Sequence, residues 1–188
     1  MRHFRAALPL SRMLYLDSTH VGAAYSRLRA EGDGVLVLGV GDPHFGDEGA
    51  GLHVVRRLEH EPRIPGVRLL EGGIAGAHLL PELDHVAVLL IVTAARDGRA
   101  AGTVTYSRPK IPDDLPGEPS ASRDGLAEFF SAALLLDRLP RTHLYAISIG
   151  GPAIPGRSLS TAVAEAVAVA SCTVHGHAGR LAAHHALP

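Results

Sequence analysis

The chain has 188 residues, 46% of them hydrophobic and 20% charged, which is material for one sizeable core and one soluble domain. Its 18 basic and 19 acidic side chains leave a formal net charge of −1, which excludes the electrostatic footprint of a nucleic-acid or anionic-membrane binder. A single cysteine, Cys172, excludes an internal disulfide, and with no signal-peptide core and no apolar run of transmembrane length a cytoplasmic protein is expected.

Residues 1–33 precede the first convincing strand and read as an N-terminal extension. The sequence leaves open whether Leu8, Leu10, Met13, Leu14 and Leu16 dock on the domain or belong to a mobile segment. From Gly34 onward, residues 34–188 read as one domain. Residues 35–40 are a continuous apolar run, as in a strand buried on both faces of a parallel sheet. Gly39 and Gly41 allow a sharp turn, and Leu52, Val55 and Leu58 or Glu59 follow at helical spacing. Asp47 and Glu48 stand where that helix begins, a position that favours acids through capping and the helix dipole.

A second strand is expected over 67–70, ending at Glu71-Gly72-Gly73, and a short helix over 75–83. Residues 86–92 form the most hydrophobic strand and the centre of the sheet. Residues 102–107 alternate with period two, which suits an edge strand with one wet face. Pro109, Pro112, Pro116 and Pro119 make 108–122 a long loop. Leu126, Phe129, Phe130, Ala133 and Leu134 give a helical stripe, 144–149 a last strand, and Gly150-Gly151-Pro152 its closing turn. Ser160 is a candidate cap for a terminal helix with Val163, Val167 and Val174 inward. Strands alternating with helices argue for an α/β fold with a mostly parallel sheet.

In such a sheet, ligands bind beyond the carboxyl ends of the strands, which is where Asp47, Glu48 and Glu71 fall. Gly39-x-Gly41 after a strand superficially offers a dinucleotide site, and hence a nucleotide-binding regulator. Two features speak against it. His44 occupies the third glycine position, and Asp47 and Glu48 would confront a pyrophosphate at the helix start.

The segment 37–51, VLGVGDPHFGDEGAG, resembles the opening motif of the hydrogenase maturation endopeptidases. Further landmarks line up in order. Glu71-Gly72-Gly73-Ile74-Ala75-Gly76 resembles the family's Asp-Gly-Gly-Thr-x-Gly stretch, and Asp84-His85 leads into the central strand. Ala101-Gly102-Thr103 stands for Pro-Gly-Thr, Gly125-Leu126 opens the helix after the long loop, and Leu159-Ser160 precedes the terminal helix. The resemblance covers about residues 34–170. It implies a three-layer α/β/α domain with about five strands, one edge strand antiparallel. It also implies action on the C-terminal tail of a nickel–iron hydrogenase large-subunit precursor.

The resemblance further implies three metal-contacting positions: a Glu after the first strand, an Asp ending the central strand and a His before the next helix. Here the Glu is Glu48, but the Asp position falls on Thr93 and the His position on Ser122. Neutral hydroxyls are poor ligands for a divalent transition metal, so peptide hydrolysis is in doubt and nickel would be weakly bound or carried by the substrate. His44, Glu71 and Asp42 are the candidate compensating ligands, and Gly41, Gly72, Gly73 and Gly76 the candidate groove backbone. The alternative is a non-catalytic pseudoprotease that binds a hydrogenase precursor or another partner. Against that site stand plainer roles: Asp47 or Glu48 as a helix cap, Glu71 on turn amides, His44 in water, Thr93 and Ser122 on backbone. His175, His177, His184 and His185 read as a solvated tail because Gly176 and Gly179 weaken helix there, and Cys172, between Ala170 and Val174, reads as a small buried hydrophobe.

Overall fold

The computed structural model describes residues 34–151, 155–156 and 158–185, without the side chain of His185. The N-terminal extension and Pro152 therefore lie outside the described residues. In chain order the strands are β1 (Gly34–Val40), β2 (Val67–Glu71), β3 (Val86–Ala95), β4 (Val104–Ser107) and β5 (Arg141–Ser148). The helices are α1 (Ala50–Leu58), α2 (Ala121–Leu135) and α3 (Thr161–His185), with short 3-10 helices at Gly46–Gly49, Ala77–Leu83 and Pro112–Asp114.

The five strands form one sheet in the order β2-β1-β3-β5-β4. All neighbours run parallel except β4, which pairs antiparallel with β5 through Val104↔Ile147 to Ser107↔Leu144. This is the mostly parallel sheet with one antiparallel edge that the sequence suggests. The continuous apolar runs of β1 and β3 lie at its interior because each must bury both faces. On one face Val35, Val37, Val88, Leu90 and Val92 pack with Val54, Val55 and Leu58 of α1 and Val163, Val167 and Val174 of α3. On the other, Leu36, Leu38, Leu89, Ile91 and Ala146 pack with Leu79, Leu83 and the Leu126, Phe129, Phe130 and Ala133 stripe of α2. The result is a three-layer arrangement with the sheet in the middle.

Several local expectations change. The helix expected at 75–83 is a 3-10 segment starting at Ala77, with Pro81 inside it. The loop 108–122 gives way to α2 from Ala121, because the Ser120 side chain accepts from the Arg123 N–H at 3.2 Å and caps the helix. Ser122 thus lies in a first turn and not in a loop. Leu134 is exposed, leaving the stripe one residue shorter. Cys172 is exposed on α3, since Ala170 and Val174 lie two positions away and so face the opposite side of the helix. Finally, α3 continues through Gly176 and Gly179 to His185, so His175 and His177 sit on an ordered helix.

Gly39, Gly41 and Gly51 set how closely α1 approaches the sheet. A Cβ on Gly39 would come within 2.5 Å of the Gly51 carbonyl oxygen, and one on Gly41 would overlap the Glu48 carbonyl. None of the three has positive φ. Close backbone approach, not a left-handed turn, is what requires glycine here.

Candidate functional site

The chain leaves β1 and β2 on one side of the β1/β3 boundary and β5 and β4 on the other, so this boundary is the switch point where an open sheet parts its connecting loops. A cleft of about 480 Å³ opens there, lined by Asp42, Phe45, Glu48, Arg96, Ser122 and Gly151 among others. They come from the carboxyl-end connections of three strands and from the helix facing them. Asp42 and Phe45 follow β1, Glu48 lies in the adjoining 3-10 helix, Arg96 follows β3, Ser122 opens α2 and Gly151 follows β5.

Glu48 is buried and does not cap α1, which has Gly49 at its cap position and no side-chain cap bond. The Arg96 guanidinium donates from one terminal nitrogen to Glu48 Oε1 at 2.6 Å and from the other to the Gly151 carbonyl. The pair is largely screened from solvent, with side-chain exposures of 22% for Arg96 and 11% for Glu48. It ties the ends of β1, β3 and β5 together. The loop before α2 supports it from outside: the Glu118 N–H donates to the Arg96 carbonyl at 2.9 Å, and Gly117, at φ +89°, packs against Ala95. Asp47 also leaves the helix start, its Oδ1 accepting from the Ser160 N–H at 2.6 Å and holding the approach to α3.

Thr93 is buried at the end of β3 on the sheet face that carries Leu89 and Ile91, and its hydroxyl donates to the Ala94 carbonyl at 3.3 Å. It is not among the residues lining the cleft, whereas Ser122 is, buried in the first turn of α2. The proposed compensating set does not assemble. Glu71 is held on the surface by Arg56 in a two-pronged ion pair at 2.9 and 2.7 Å, not by turn amides. His44 is exposed, and its N–H donates to Asp42 Oδ1 at 2.9 Å. Among the described residues no three His, Cys, Asp or Glu side chains are grouped so as to hold a metal ion. Gly41, Gly72, Gly73 and Gly76 shape the adjoining turns, with Gly41 N–H donating to the Gly73 carbonyl at 2.8 Å, but none lines the cleft.

Arg96 is the residue that sequence reasoning missed. Its only signal was position, four residues beyond the apolar run 86–92 that marks the central strand. A second polar cluster, on the face that α3 covers, was missed too. Tyr106 OH shares a hydrogen bond with His143 Nδ1 at 2.6 Å and accepts from Arg108 Nε at 2.8 Å, while Tyr145 OH meets His177 Nδ1 at 2.8 Å. The two imidazole rings stand 4.9 Å apart, edge to face. Burial, reinforced by His177, Arg108 and Arg141, pushes the His143 pKa down to about 4. Burial also lowers that of His177, helped by Arg180, Arg108 and Arg141.

No protein-family model matches the chain. It is similar to a hydrogenase expression/formation protein, HupD, of Rhodobacter capsulatus, at 34% identity over 112 residues, covering 56% of this chain and 52% of that one. It is 31% identical over 112 residues to the hydrogenase 2 maturation protease of Escherichia coli strain K12, covering 57% of this chain and 67% of that one. Among solved structures it is similar to the hydrogenase maturating endopeptidase HybD from Escherichia coli, with a TM-score of 0.69 and 29% identity over 77% of this chain and 91% of that one. The chain spans about half the length, or somewhat less, of the first curated relatives it matches.

Proposed function

We propose that this chain, which belongs to the hydrogenase maturation endopeptidase family, engages the C-terminal tail of a nickel–iron hydrogenase large-subunit precursor, in the cytoplasm. The observation that carries the reading is the cleft itself. It stands at the switch point of the sheet, with Glu48 inside it and loops from three strands around it. A groove of about 480 Å³ open along one side suits an extended peptide better than an enclosed small ligand. No helix among the described residues is long and apolar enough to cross a membrane.

The donor set does not fit a nickel ion. Glu48 is the single carboxylate or imidazole at the three positions the resemblance implies, and its Oε1 already accepts from Arg96. Thr93 and Ser122 offer neutral hydroxyls, which a divalent transition metal binds poorly. No hydrolytic step is therefore routed through a metal here, and the cleft is read as a site that binds the tail without cutting it. Incubation with a nickel-loaded large-subunit precursor, followed by size-exclusion chromatography and mass spectrometry, tests this. Co-elution with the tail intact is expected. Removal of the tail would overturn the binding-only reading, and absence of any complex would overturn the choice of partner.

A further inference from the structure

The positive charge that a metal would bring to this cleft is already present, covalently attached to the chain. Arg96 reaches Glu48 at 2.6 Å with one terminal nitrogen and the Gly151 carbonyl with the other, while its own carbonyl is held by Glu118 N–H at 2.9 Å. The guanidinium brings its positive charge in a rigid planar fork that is part of the chain itself. Glu48 and Arg96 neutralise each other, and a dication approaching Glu48 would meet a fixed cation bonded to the same carboxylate. We infer that Arg96 takes the electrostatic role of the metal ion, so that the Glu48–Arg96 pair binds a peptide tail in the absence of any metal.

The chemistry of the pair fits that occupant. A guanidinium carries five N–H donors and a carboxylate two acceptor oxygens, more than the two bonds described use. A peptide group presents one acceptor and one donor, which matches a guanidinium and a carboxylate fixed side by side. The neighbouring Ser122 and Asp42 add polar groups, and Phe45 an apolar wall. Two bonds hold the Arg96 guanidinium before a ligand arrives, so little side-chain entropy remains to be lost on binding. The inference rests on the tail-binding reading for its ligand, while the exclusion of metal can be measured separately.

The test uses the untagged full chain and purified, nickel-free large-subunit precursor, with binding followed by interferometry in EDTA and then with added nickel chloride. Affinity in the two buffers should agree within twofold. Arg96→Ala should weaken binding in EDTA at least tenfold, and Arg96→Lys, which keeps charge but loses the two-pronged geometry, should fall between. Binding that appears only with nickel, or an Arg96→Ala variant that binds undiminished in EDTA, would overturn the inference. If the wild-type chain bound precursor in neither buffer, the tail reading would fail, and nickel titration by calorimetry would still decide the role of Arg96. There, indistinguishable isotherms for wild type and Glu48→Gln support the inference, and stoichiometric uptake lost in Glu48→Gln overturns it. Circular dichroism confirms that each variant is folded.

Discussion

Gly51 and Gly176 both lie in helices, and the same substitution to alanine should have opposite signs at the two positions. Helix propensity alone favours alanine over glycine by about 1 kcal/mol in each case. At Gly176 the added Cβ would find nothing nearer than the Arg180 side chain at 3.5 Å, an ordinary contact, so the propensity term stands alone. At Gly51 the Cβ would overlap the carbonyl oxygens of Val92 and Val40 and come within 2.9 Å of the Val40 nitrogen. These are backbone atoms of two central strands and cannot rotate away, so α1 must lift off the sheet. Overpacking of this kind costs roughly 3 kcal/mol, leaving a net loss of about 2 after the propensity gain. For a domain of this size that is a fall of roughly 4–8 °C in melting temperature for Gly51→Ala, against a rise of about 2–4 °C for Gly176→Ala. Differential scanning calorimetry of both variants reads the signs directly. A Gly51→Ala protein at least as stable as wild type would refute the close seating of α1 on β1 and β3.

Acid should destabilise the fold through His143. In the unfolded chain this histidine binds its proton near pH 6.5, but in the folded chain only near pH 4, so between these values the unfolded state holds more protons and stability falls as pH drops. The loss attributable to His143 is on the order of 3 kcal/mol across the window, and urea titrations of wild type and His143→Gln from pH 7 to 4.5 should show a shallower pH slope in the variant. The exposed Arg56–Glu71 pair should matter little: Glu71→Gln is expected to cost under about 1 kcal/mol in chemical denaturation and to leave precursor binding unchanged. Gly41→Ala should do the reverse. It pushes on the Glu48 carbonyl and should weaken precursor binding several-fold, measured by the same interferometry in a variant shown to be folded.

The parts of this fold that can be read from sequence are those governed by local periodicity. Continuous apolar runs at β1 and β3 announce burial on both faces, alternation near β4 announces an edge, and the Leu126, Phe129 and Phe130 spacing announces the inner side of α2. Misreadings arise where a residue's surroundings come from distant parts of the chain. Glu48 has the sequence position of a helix cap, yet a partner 48 residues away takes its carboxylate. Glu71 closes a strand beside two glycines, yet Arg56 of α1 binds it. Ala170 and Val174 give Cys172 apolar neighbours in sequence, whereas a helix turns about 200° in two residues and puts it on the wet side. The glycines in α3 each cost about 1 kcal/mol, but buried Ala178 and Ala182 and the His177–Tyr145 hydrogen bond hold the helix through them.

Photocrosslinking tests the location of the tail site most directly. Benzoylphenylalanine in place of Phe45, on the cleft wall, should crosslink to the last residues of the large-subunit precursor, mapped by tandem mass spectrometry. The same probe in place of His85, just before β3 at the amino ends of the parallel strands, should give no tail adduct. Tail adducts from the His85 position with none from Phe45 would contradict the account, because the tail would then bind away from Glu48 and Arg96.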